Sequence, residues 1–109
     1  MIIYNVTCHM EPALAEEWLE WMNEVHIPEV MATGCFREVG ILKVLTNAAD
    51  DEGVNYSIQY RAQSMADYER YRDLFAPALQ QETRARYGEQ ILAFRTLLEE
   101  IRPLSPMVH

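Results

Sequence analysis

A histidine followed two residues later by a proline, His26-Ile27-Pro28, carries the clearest chemical potential in this 109-residue chain. Imidazole is the side chain whose ordinary pKa puts proton transfer near neutral pH. Pro28 has no backbone donor and disfavours helical geometry at Ile27, so the chain is expected to kink or stop near His26. On a helical projection His26 stands about 40° round from Met22, beside the apolar stripe of Leu14, Trp18, Trp21, Met22 and Val25. There it could act as an acid or base in a pocket walled by Trp18, Trp21 and Met22. Two plainer readings are favoured. The ring bonds a carbonyl freed by Pro28 or steadies the helix end, and an aromatic and methionine stripe at helical spacing is core.

Arg72 is the second unexpected residue, falling about 40° from Tyr68 inside the apolar arc of a later helix. Its planar fork suits a ligand carboxylate. The bland alternative, which is favoured, packs its stem and sends the guanidinium to the surface or to a local acid. Cys8 and Cys35 have no metal-type spacing and read as reduced structural thiols. Asp50, Asp51 and Glu52 lack the alternating ligands and distal Glu of a calcium loop, and read as a solvated turn. There is no Gly-rich phosphate loop, Cys-x-x-Cys, His-Glu-x-x-His or Gly-x-Ser-x-Gly in the chain. No metal or cofactor is therefore expected.

The elements that must hold these residues follow from periodicity. Residues 2–9 alternate as a strand, with Ile2, Tyr4, Val6 and Cys8 on one side and Ile3, Asn5, Thr7 and His9 on the other. Pro12 suits the first turn of a helix over 12–32, which Thr33-Gly34 closes. A second strand is expected over 35–45, with Gly40 as a bulge or point of close backbone approach, then turn residues from Asn47 to Gly53. Residues 54–62 alternate most clearly, Val54, Tyr56, Ile58 and Tyr60 against Asn55, Ser57, Gln59 and Arg61. Ser64 with Asp67 starts a second helix over 64–87, kinked at Pro77 and stopped at Gly88. The run 90–101 fits a helix or a buried strand; topology decides for strand, since it completes a split βαβ unit. The chain then reads as one α+β domain over 1–102, of βαββαβ order, with a tail over 103–109. Its four-stranded antiparallel sheet carries two helices on one face. Tyr4 and Tyr60 belong to the helix-facing sets and join Trp18, Trp21, Met22 and Arg72 as candidate ligand contacts.

Such a sheet leaves its other face to water, a ligand or another chain. Strands one and three turn Asn5, Thr7, His9, Asn55, Ser57, Gln59 and Arg61 that way, while strands two and four bring apolar side chains to both faces. That mixture predicts a two-fold homodimer built on the open face, where His9 and Arg61 line a lumen or are simply solvated. Seventeen acidic residues against nine Lys and Arg give a net charge of −8, which opposes phosphate binding, so nucleic acid is not expected as a partner. No apolar run approaches the roughly 20 residues of a membrane span, and no secretory signal is visible. A cytoplasmic location is the expectation.

Several stretches resemble a bacterial family known only as a domain of unknown function. They are Met1-Ile2-Ile3-Tyr4-Asn5-Val6-Thr7, Trp18-Leu19-Glu20-Trp21-Met22 with His26-Ile27-Pro28, and Tyr56-Ser57-Ile58-Gln59-Tyr60. Ser64-Met65-Ala66-Asp67-Tyr68-Glu69-Arg70-Tyr71, Ala76-Pro77-Ala78-Leu79 and Ala93-Phe94-Arg95-Thr96-Leu97 complete the set. More distantly, the His-x-Pro of the first helix and the element order resemble the ferredoxin-like, dimeric α+β-barrel superfamily. That resemblance implies a dimeric α+β barrel. It spans cofactor-independent oxygenases, isomerases, haem-degrading enzymes and proteins of no known activity, so it implies no single reaction. The leading reading is a homodimer that binds a small apolar or acidic metabolite. The alternatives are an oxygenase or isomerase using His26 as acid and base, and a purely structural or protein-interaction dimer.

Overall fold

In the computed structural model, which describes residues 1–46 and 52–105, strand β1 (Ile2–Met10) leads into a helical arm that crosses the sheet. The arm is α1 (Pro12–Trp21), a π-helical turn (Met22–His26) and α2 (Ile27–Ala32). Strands β2 (Glu38–Lys43) and β3 (Val54–Ala62) follow. Then come α3 (Met65–Leu74), α4 (Ala76–Tyr87), a single 3₁₀ turn (Gly88–Gln90) and β4 (Leu92–Glu99). Among the described residues the strands form one four-stranded sheet in the order β2-β3-β1-β4, every neighbouring pair antiparallel. This is the βαββαβ order that the periodicity predicts, and residues 92–99 are a strand rather than a helix.

Of the two outcomes expected near His26, a kink or a stop, the chain takes the first: an irregular turn interrupts the helix, which continues to Ala32 as expected. Pro28 cannot donate to a carbonyl one helical turn back, and its ring would crowd that carbonyl. A π-turn absorbs the misfit: the Ile27 N–H bonds the carbonyl of Met22, five residues back, and the wider turn carries the backbone through to Ala32. Gly34 then takes φ +75°, and its N–H bonds the Met31 carbonyl, closing the helix as expected. At Pro77 the second helix does break. Phe75 swings to φ −120° between α3 and α4. The Ser64 side chain accepts the Asp67 N–H at 3.2 Å, which caps α3. Gly88, at φ +57°, ends α4.

Gly40 makes no bulge: β2 pairs with β3 residue for residue from Glu38 opposite Arg61 to Lys43 opposite Tyr56. The expected turn from Asn47 to Gly53 and its Asp50-Asp51 cluster lie mostly outside the described residues, as does the end of the expected tail.

Register sorts side chains between two faces. Tyr4, Val6 and Cys8 of β1 lie opposite Tyr60, Ile58 and Tyr56 of β3 and opposite Leu97, Arg95 and Ala93 of β4, all beneath the helices. The core is unusually aromatic. Tyr4 stacks on Phe36 and Tyr60 at centroid distances of 6.1 and 6.0 Å, and Phe36 meets Tyr71 edge-on at 4.9 Å. Trp18, only 1% exposed, packs on Tyr56 at 5.4 Å. Burying one such ring is worth a few kcal/mol, enough to hold α1 on the sheet. Cys8 and Cys35 are both buried free thiols.

The opposite face is open. Around its centre Ser57 Oγ donates to Asn5 Oδ1, Asn5 Nδ2 donates to Thr7 Oγ1 at 3.1 Å, and His9 Nδ1 lies 3.0 Å from Asn55 Oδ1. Arg61 is held between Glu38 and Glu100. Apolar side chains flank this polar strip: Leu42 on β2, and Leu92, Phe94 and Leu98 on β4, each 42–61% exposed.

Candidate functional site

The helices do not close fully on the sheet. Between the helical arm, α4 and strands β1, β3 and β4 lies a cavity of about 270 Å³. Its floor is Tyr4, Val6 and Cys8 with Ile58 and Tyr60, and one wall is Trp18, Met22 and His26. The other wall comes from Tyr71 and from Gln80, Thr83 and Tyr87 of α4. Arg84, Gly88, Ala93 and Arg95, all exposed, form the rim, so the cavity opens toward the β4 edge.

Of the residues singled out from sequence, Tyr4, Trp18, Met22, His26 and Tyr60 are brought together here. Trp21 is not among the lining residues. It is buried behind His26 and stacks on the imidazole at 5.1 Å and 23°. Arg72 does not reach the cavity either. It is exposed and bonds the neighbouring carboxylate, Nε to Asp73 Oδ1 at 2.8 Å, which is the bland arrangement set out above.

His26 projects from the last residue of the π-turn, a backbone irregularity that concentrates at functional sites. Its Nδ1 is buried and has no hydrogen-bond partner among the described residues, so the ring does not bond a carbonyl freed by Pro28 at this atom. It makes no side-chain cap to α2. Burial disfavours the charged imidazole and lowers its pKa; Arg95 pushes the same way, and Glu82 opposes both. The ring is therefore neutral at pH 7, with Nδ1 available to accept or donate according to tautomer.

Three tyrosines surround the floor. The Tyr4 hydroxyl accepts from Arg95 Nε at 3.1 Å, whereas the Tyr60 hydroxyl is buried with no partner among the described residues. Burial raises the pKa of both, and of Tyr71, so all three are neutral phenols. Cys8 is pushed up to about 11, again by burial, and is no nucleophile at neutral pH. No group of three His, Cys, Asp or Glu among the described residues is placed to hold a metal ion.

Arg84 and Arg95 escape a reading of the sequence. Arg95 sits in a strand whose two faces are both largely apolar, so alternation gives no sign of which side it takes; the pairing of Val6 with Arg95 decides it. Arg84 belongs to a polar helix with little amphipathic pattern. Its basic neighbour Arg86 stands over the rings of Trp21 and Tyr87 at 5.5 Å.

A split βαβ sheet with its helices on one face and a cavity between them defines a ferredoxin-like α+β domain. Known structures agree on the fold. An ethyl tert-butyl ether D (EthD) family protein from Bacillus halodurans superposes with a TM-score of 0.63 at 13% identity, over 93% of this chain and 100% of that one. A de novo designed ferredoxin-fold protein superposes at 0.50 and 19% identity, over 100% and 95%. The chain belongs to the family described as a domain of unknown function, DUF4286, whose model matches residues 1–101. No curated protein matches the sequence. Among the described residues no helix is long and apolar enough to cross a membrane.

Proposed function

We propose that this protein binds a small metabolite in the cavity between its helices and sheet, and does so as a homodimer. The observation that carries the first part is a cavity lined by three residues with buried polar atoms that lack partners among the described residues, His26 Nδ1 and the Tyr60 and Tyr87 hydroxyls. An unsatisfied buried polar group costs about 1–3 kcal/mol. A purely structural core would shed that cost by substituting phenylalanine or closing the gap, whereas a ligand site recovers it when the ligand binds. Screening a library of single-ring metabolites by NMR tests this. Hits should shift the resonances of His26 and Tyr60, and a library in which nothing moves them refutes it.

A second reading has its own support. A neutral imidazole with a free buried nitrogen in a π-turn is suited to take a proton from a bound ligand and return it elsewhere, the chemistry of an isomerase, or of a cofactor-independent oxygenase that first deprotonates its substrate. Substitution of His26 by Gln would then abolish turnover of an identified ligand without weakening its binding.

The dimer is supported by the open sheet face. Phe94 and Leu92 are 61% and 54% exposed there beside the bonded polar strip centred on Asn5, a mixture suited to an interface with a second copy. Light scattering should give twice the 12.7 kDa chain mass, and Phe94→Glu should halve it. A monomer that persists at all concentrations refutes this part.

A further inference from the structure

We infer that the ligand of the cavity is a single-ring organic acid, its ring seated on Tyr4 and Tyr60 and its carboxylate held at the rim by Arg84 and Arg95. This rests on the reading of the cavity as a ligand site and specifies what the site takes.

Charge pairing is the first argument. Acidic residues outnumber basic ones 17 to 9, so an arginine has ready access to carboxylates. Arg61, Arg70, Arg72 and Arg86 each lie within 4 Å of one. Arg84 and Arg95, which line the cavity, have no such partner among the described residues, and neither do Arg37, which bonds the Gln63 amide oxygen, and Arg102. Arg95 donates from Nε to a neutral hydroxyl, which leaves the outer edge of its fork uncommitted. Arg84 lies in the last turn of α4, where a cation is favoured by the helix dipole, but that alone does not require it to line a cavity. Two planar forks at one rim match the geometry of a carboxylate, which bridges or chelates guanidinium groups.

The charge also reaches the interior. Burial dominates the shifts at Tyr4, Cys8, His26 and Tyr71, and the Arg95 charge offsets part of the rise at Tyr4, Cys8 and Tyr71 and adds to the lowering at His26, as a cation at the mouth of a low-dielectric cavity does. Glu82 is the carboxylate felt at His26. Volume sets the size. A cavity of about 150 Å³ holds benzene, so 270 Å³ has room for one ring with its substituents. The Tyr4 and Tyr60 rings and the Trp18 indole give that ring flat apolar surfaces.

Calorimetric titration of the intact protein with benzoate and with neutral, nearly isosteric benzamide tests the assignment. Charge-assisted hydrogen bonds predict that benzoate binds about tenfold or more tightly than benzamide. Raising the salt from 50 to 500 mM should weaken benzoate alone. Arg84→Gln combined with Arg95→Gln should remove the preference, and Arg84→Gln alone, at an exposed position, should reduce it without threatening the fold. Equal affinity of the two probes for the unsubstituted protein, or benzoate binding indifferent to both substitutions, overturns the acid assignment while leaving the ligand site standing. Binding of neither probe overturns this assignment, and with a silent NMR screen it overturns the ligand site as well.

Discussion

Replacing Tyr60 by Phe separates a ligand site from a structural core, because the two predict opposite signs. Tyr60 is 2% exposed, and its ring packs on Tyr4 and Phe36 at 6.0 and 5.2 Å, contacts that phenylalanine keeps. Only the hydroxyl is lost, and it has no partner among the described residues. A buried unsatisfied hydroxyl costs about 1–3 kcal/mol, and solvent entering a cavity of this size repays part of that, so the ligand-free variant should gain about 1 kcal/mol. In a domain of this length that is a rise of about 4 °C in Tm. Urea unfolding of protein first denatured and refolded, to strip bound molecules, measures the gain as a higher midpoint at constant slope. The same variant should bind its ligand about two- to tenfold more weakly, one ordinary hydrogen bond. A loss of 1 kcal/mol or more in the ligand-free state would refute the reasoning, since it would show that the hydroxyl is already bonded within the fold.

His26→Gln should leave the protein folded, because no hydrogen bond is made at Nδ1. A histidine whose folded pKa is lowered contributes stability above its unfolded pKa, about 6.5, and loses it as pH falls toward the folded value. Stability of the parent should therefore decline more steeply than that of the variant below pH 6.5, by at most about 1.4 kcal/mol per pH unit for one proton; parallel curves would show that the ring titrates freely. Ser64→Ala removes the cap on Asp67 N and should cost about 1 kcal/mol in chemical unfolding, with cavity binding unchanged.

The strands and helices were legible because each has one dominant face. In β3, Tyr56, Ile58 and Tyr60 alternate with Ser57 and Gln59, and burial against the helices and hydrogen bonding on the open face reward the same period. Pro77 and Gly88 act through their own backbones, so their effects on the second helix needed no tertiary knowledge. His26, Trp18 and Met22 were legible as one helical face for the same reason.

What the fold alone decided are the features that depend on two segments at once. Pro28 taken by itself predicts a kink or a stop without choosing between them; the buried face on both sides of it, from Trp18 to Val30, favours a helix that continues, and a π-turn is the backbone's way of keeping both. The places of Arg72 and Arg95 were settled by the fold for a similar reason. A helical projection places Arg72 near Tyr68, yet α3 breaks at Phe75 and its flank meets solvent and Asp73. Arg95 gives no signal in a strand apolar on both faces until pairing with Val6 turns it beneath the helices. Which residues seek burial, and with what period, is written in the order of the amino acids; which of them stand at the cavity depends on how the segments pack, because a cavity is the space that neighbouring segments together fail to fill.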